Sequence, residues 1–276
     1  MAAQAPRPVL RIRDARLSFG DRVLWDALDL EVRPGEFIAV LGANGSGKSS
    51  LLKVVLGLFP LTHGSIEFAG APIGRGDRRI GYVPQQKLAD DRVPLRGRDL
   101  IALGLDGHRW GPGLPSRARR ATIDALLEAV GATAYAKAPI NTLSGGEQQR
   151  LRIGQALAGD PKLLLFDEPL LSLDLAHQRA VSELIDRERR ARGAGVLFVT
   201  HDINPVLQMV DRVLYLAGGR FRIGAPDEVL RGSVLSELYG SPVDVITSRG
   251  RIIVIGAPDD PHGHDHQYGG PEMRGR

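Results

Sequence analysis

From Val9 to Val32 apolar and polar positions alternate in short runs broken at Gly20-Asp21, which predicts strands joined by a tight turn. Glu36-Phe-Ile-Ala-Val-Leu41 is instead a nearly continuous apolar run, the pattern of a strand covered on both faces in a parallel sheet. It leads into the glycine-rich Gly42-Ala-Asn-Gly-Ser-Gly-Lys-Ser49, after which Ser50 to Gly57 reads as a helix. The predicted order is therefore strand, glycine loop, helix.

Thr62 to Val83 returns to short strands, with turn signals at Gly64, Gly70-Ala-Pro72 and Gly74-Arg-Gly76 and a further strand at Ile80-Gly-Tyr-Val83. Helical periodicity dominates from about 87 to 158, clearest where Ile123, Leu126, Leu127 and Val130 share one stripe; Gly104 to Pro115 reads as a connector. Buried strands follow at Leu163-Leu-Leu-Phe166 and Gly195-Val-Leu-Phe-Val199, separated by a charged helix around Gln178 to Arg192. The alternation predicts an α/β fold: a mostly parallel sheet covered on both sides, with a helical insert on one edge. Residues 241–256 read as a hairpin and 257–276 as a flexible tail, leaving a main domain at 8–240.

Composition narrows the function classes. The 276 residues suit one large domain or two small ones, and with 43% hydrophobic and 25% charged residues they form a folded body. There is no cysteine, which excludes a thiol nucleophile, a thiolate zinc site and a disulfide framework. No run of about 18 apolar residues occurs and the start lacks a signal-peptide core, so the chain is not expected to cross a bilayer itself. The net charge is +4. Its arginines fall in small groups (Arg117, Arg119, Arg120; Arg187, Arg189, Arg190, Arg192) among acidic residues, which reads as solvated helix faces, and no nucleic-acid partner is expected.

Gly42-x-x-x-x-Gly47-Lys48-Ser49 matches the phosphate-loop pattern between a buried strand and a helix. Amides of Gly45, Gly47, Lys48 and Ser49 can face phosphate oxygens when no Cβ blocks the approach, Lys48 supplies a mobile cation, and the Ser49 hydroxyl can ligate Mg²⁺. Asn44, Ser46 and Ser50 complete the candidate nucleotide contacts. Asp167 and Glu168 close a buried strand at the end where open α/β sheets bind ligands; Asp167 would hold Mg²⁺ and Glu168 would polarise water. Leu143-Ser-Gly-Gly-Glu-Gln-Gln149 is a capping box on Ser144 and Glu147. Its two glycines need a further reason, and a second phosphate-binding element at this helix start supplies one.

These motifs, with Arg150 closing the third and Thr200-His201-Asp202 after the last buried strand, together resemble the ATP-binding subunit of an ABC transporter over residues 9–230. The resemblance implies the P-loop NTPase fold of an ABC ATPase: a mostly parallel core, an antiparallel β subdomain and a helical subdomain at about 87–158 that carries the signature. It implies ATP and Mg²⁺ as cofactors, and a second ATPase subunit, a homodimer being expected, closing head to tail. Phe19 would stack on adenine, Lys48 and Ser49 would hold phosphates and Mg²⁺, and Gln85 would link the metal site to the transporter. Ser144, Gly145, Gly146 and Gln148 would reach the partner's nucleotide, Glu168 would be the general base, His201 the γ-phosphate switch, and Asp174 part of the interface loop.

Two functions compete: a subunit energising transport, and a soluble ABC ATPase acting on ribosomes or DNA. One cassette, a short insert and no cysteine favour transport. The chain would then sit at the cytoplasmic face of the membrane against permease subunits, with an extracytoplasmic solute-binding protein acting indirectly; the groove from Gln85 through Lys87 to Leu105 would be the permease contact. Tyr82-Val-Pro-Gln85, Val93-Pro-Leu and Asp99-Leu-Ile-Ala-Leu-Gly104 are similar to zinc and manganese importer ATPases. His262, His264 and His266 share one side of an extended chain and could bind Zn²⁺ as a buffer or sensor, so zinc is expected before manganese, and a non-metal solute is the alternative.

Overall fold

The computed structural model describes residues 7–85, 95–107 and 116–256. In chain order it contains β1 (Leu10–Phe19), β2 (Arg22–Val32), β3 (Phe37–Gly42), α1 (Lys48–Val55), β4 (His63–Phe68), β5 (Ala71–Pro72) and β6 (Ile80–Val83). Next come α2 (Gly97–Asp106), α3 (Arg117–Ala129), α4 (Gly145–Leu157), β7 (Leu163–Asp167), α5 (Leu175–Arg192) and β8 (Gly195–Val199). The chain continues with β9 (Arg212–Ala217), β10 (Arg220–Gly224), α6 (Pro226–Val229), α7 (Gly232–Tyr239), β11 (Asp244–Ser248) and β12 (Arg251–Ile255).

The central sheet has the order β10-β9-β3-β8-β7-β6; only β10 is antiparallel to its neighbour. Its continuous apolar strands are buried on both faces, as their sequences require. Phe37, Ala39, Leu164, Phe166, Val196 and Phe198 point into the core shared with α2 to α5 and α7. Ile38, Val40, Leu163, Leu165, Leu197 and Val199 point into the core shared with α1 and the antiparallel sheet β2-β1-β4-β5. Helix α1 is thus held between two sheets, and the loop at its start has little freedom.

Several local expectations are corrected. Gly64 lies inside β4 rather than in a turn: a Cβ there would stand 2.3 Å from Asp14 O, so glycine is needed where β4 meets the irregular part of β1. Gly104 lies inside α2 rather than in a connector, where a Cβ would stand 2.2 Å from Gln155 O; it lets α2 touch α4. Val199 does not end the last buried strand, because β9 is buried from Val213 to Ala217. Arg189 is not solvated. It is 5% exposed, pairs with Asp186 at 2.8 Å and Asp211 at 3.0 Å, and stacks over Phe37. The expected stripe of α3 is buried throughout, and β11 and β12 pair as an antiparallel hairpin. Among the described residues no helix is long and apolar enough to cross a membrane.

Candidate functional site

Strand β3 ends at Gly42, whose φ of +140° and close approach to Leu216 O exclude any side chain. The loop turns through Gly45 (φ +72°) and Gly47 (φ +98°), which caps α1 with no side-chain hydrogen bond. The α1 N-terminus therefore opens into a cradle of backbone amides, the arrangement that receives phosphate. Asn44 is exposed on it, Ser50 is partly exposed in the first turn of α1, and the buried Ser46 hydroxyl has no partner among the described residues.

Lys48 is 7% exposed, and its Nζ donates to Gly42 O at 2.7 Å and Ala43 O at 2.9 Å. Burial holds its pKa below the usual lysine value, against the opposing pull of Glu168 and Asp167. The Ser49 hydroxyl donates to Asp167 Oδ1 at 2.9 Å. Asp167 is 4% exposed, and burial raises its pKa against the Ser49 bond, with Glu168 adding to the rise. Beside it the Tyr82 phenol is pushed up to about 12 by burial and then by Asp167.

Glu168 follows β7 with φ +48°, a strained conformation for a side-chain-bearing residue. Its amide donates to Val199 O at 3.0 Å, and its Oε2 lies 3.0 Å from His201 Nδ1. Phe19, at the end of β1, is 50% exposed and meets Phe59 edge-on at 5.5 Å. Gln85 is exposed just beyond β6, the strand beside β7.

Ser144, Gly145, Gly146 and Gln148 stand apart, at the start of α4. The capping box is complete: Glu147 N donates to Ser144 Oγ at 3.3 Å, and Ser144 N donates to Glu147 Oε2 at 2.9 Å. Gln148 Nε2 donates to Leu143 O at 3.1 Å. Among the described residues no hydrogen bond or ion pair joins this group to Lys48, Ser49, Asp167 or Glu168. Gly146 has a reason within its own chain, since a Cβ would stand 2.5 Å from His177 Cδ2. His177 is itself held by Asp174, which caps α5 and accepts from His177 N at 2.9 Å.

Three neighbours of the site were not among the expected residues. Arg22 donates to Gly45 O at 2.9 Å, the fully buried Trp25 backs Gly47, and Asn204 follows the His201 turn. The first two lie in a strand whose alternation signals only packing. Beside α2, a cavity of about 300 Å³ is lined by Arg98, Leu103 and Arg119 among others, with Leu103 exposed. Lys87 and the rest of 86–94, and His262, His264 and His266, lie outside the described residues.

Residues 25–171, just over half of the chain, match the family described as ABC transporter. The zinc import ATP-binding protein ZnuC of Yersinia enterocolitica is 38% identical over 81% of this chain and 82% of its own length. The zinc transport system ATP-binding protein TroB of Treponema pallidum is 33% identical, over 85% and 88%. Among solved structures, an inward-facing ABC transporter described as of metal-chelate type superimposes with a TM-score of 0.76 at 27% identity, over 90% of this chain and 96% of that one. CbiO1 of Clostridium perfringens, part of the transporter complex cbiONQ, superimposes with a TM-score of 0.72 at 25% identity, over 84% and 94%. The chain belongs to the ABC transporter family, as an ATP-binding ATPase subunit that works with membrane permease subunits.

Proposed function

We propose that this ATPase uses Mg²⁺ and ATP to drive import of a divalent transition metal, zinc before manganese, as a peripheral subunit at the cytoplasmic face of the membrane. The observation that carries the chemistry is the pairing of Ser49 with the buried Asp167 beside the Glu168–His201 contact. A hydroxyl and a carboxylate side by side are the hard oxygen donors that Mg²⁺ takes, so the residues fit the ion; Gln85 would add its amide oxygen. When bound, Mg²⁺ neutralises phosphate charge. The choice of metal rests on relatives named for zinc import or zinc transport.

In this reading Lys48 leaves its two carbonyls for phosphate oxygens, the loop amides from Gly42 to Ser49 cradle the same group, and Phe19 stacks on adenine. Glu168 takes the proton of the attacking water as the water oxygen bonds to the γ-phosphorus and the bond from that phosphorus to the bridging oxygen breaks, its electron pair leaving on ADP. His201, with Nδ1 turned to Glu168, keeps Nε2 for the γ-phosphate. Ser144, Gly145, Gly146 and Gln148 serve the nucleotide of a second, identical subunit, which accounts for their separation from Lys48 in one chain. Residues 8–240 form the ATPase unit, the face of α2 with Leu103 receives the permease, and a solute-binding protein outside the cell acts through that permease. The tail histidines hold Zn²⁺.

The test is to isolate the protein with its membrane partner and measure ATP hydrolysis as metals are varied with the solute-binding protein present. Stimulation by zinc supports the reading; stimulation by an organic solute alone replaces it.

A further inference from the structure

One side chain ties the segment after His201 to the C-terminal hairpin. Asn204 Nδ2 donates to Ile252 O at 2.9 Å, and Ile252 N donates to Asn204 Oδ1 at 2.8 Å. The amide thus occupies both backbone groups of one residue on the edge of β12 that faces away from β11, as a neighbouring strand would. Asn204 Nδ2 also donates to Asp202 Oδ1 at 2.8 Å, and Asn204 N donates to the same oxygen at 2.9 Å. Asp202 is bonded back to Thr200: Thr200 Oγ1 donates to Asp202 O at 2.8 Å, and Asp202 N donates to Thr200 Oγ1 at 3.2 Å. His201 lies within this lattice.

The other end of the tie is fixed. Val243 is buried, Val245, Ile252 and Val254 pack on the core, and Val243 N donates to Ser236 Oγ of α7. The His201 side chain, by contrast, is 59% exposed, so packing does little to hold it. A catalytic group needs placement within about 0.5 Å, and on an exposed turn that must come from hydrogen bonds.

We propose that Asn204 is a positioning residue, through which the hairpin holds the His201 turn so that the imidazole meets Glu168; this rests on the reading of that pair given above. The test compares Asn204→Ala and the isosteric Asn204→Asp with the full parental chain. Aspartate can still accept from Ile252 N but cannot donate to Ile252 O, and it faces the Asp202 carboxylate. Each variant is expected to lose about tenfold in kcat, with KM for ATP within about twofold. The His201 ring signals, followed by NMR on ¹⁵N-histidine protein, should move in both. Asn204→Asp keeps the comparison open should Asn204→Ala fail to fold. Parental kcat in Asn204→Asp, or a loss of kcat with the His201 signals unmoved, overturns the proposal. A His201→Ala control separates the two readings: if it keeps parental kcat, the account of the site itself is wrong.

Discussion

His201 Nδ1 lies 3.0 Å from Glu168 Oε2 although the two residues are 33 positions apart in the chain. They meet because Glu168 follows β7, His201 closely follows β8, and these strands are parallel neighbours with Asp167 opposite Val199. The sheet thereby brings the proposed base and the proposed γ-phosphate histidine to neighbouring strand ends, where hydrogen bonds complete their placement.

Glu168→Gln is expected to preserve ATP binding and lower turnover by about 10²- to 10⁴-fold, because the amide keeps the shape but cannot accept the proton. An ATP-stabilised dimer should accumulate, visible by size-exclusion chromatography. Turnover at the parental rate would remove Glu168 from the role of base.

Ser144→Arg should leave ATP binding to one subunit intact while blocking closure, since a bulky cation would fill the approach to the partner's γ-phosphate. Mixed with Lys48→Ala, it would give, in the proposed head-to-tail dimer, one composite site with both changes and one with neither. Partial recovery of ATPase activity is the expected result. Full activity of Ser144→Arg alone would show that the α4 N-terminus plays no part in hydrolysis.

Asp167 gives a pH prediction. Its pKa is raised mainly by burial, so folding binds the proton more tightly than the unfolded chain does. The associated stability is fully present below the ordinary value of 3.8 and is lost as pH rises through the raised value. Asp167→Asn escapes that loss. In the ATP-free state its melting temperature should exceed the parent's at neutral pH, and the gap should close as pH falls toward 4. The same variant should lose the stabilisation that Mg²⁺ with ATP gives the parent, and a gap that widens on acidification would contradict the account.

Much of this site is legible in sequence because its chemistry sits on short contiguous motifs. Gly42 to Ser49 and Asp167-Glu168 each lie at the end of a continuous apolar strand, and that signal is strong wherever a strand is covered on both faces. Val213 to Ala217 in β9 carries the same kind of run and is buried in the same way. What sequence does not carry is the pairing of distant residues. Arg189 looks like any helix-surface arginine until Asp211 and Phe37 meet it. Gly146 carries in sequence no sign of His177, which gives the glycine a packing reason besides the proposed nucleotide contact, and nothing in His201-Asp-Ile-Asn204 announces the backbone of Ile252, 48 residues on.

Removing residues 257–276 should leave ATP hydrolysis unchanged and reduce the zinc bound per chain, measured by equilibrium dialysis. Retained zinc binding would place the metal elsewhere, and lost hydrolysis would make the tail part of the enzyme.

The most direct test of the central claim is uptake of radioactive zinc by metal-starved cells that lack this protein and carry either the parental chain or Glu168→Gln. The account predicts rapid uptake with the parent and background uptake with the variant. Equal zinc uptake by both, accompanied by failure to take up some other solute with the variant, would contradict it.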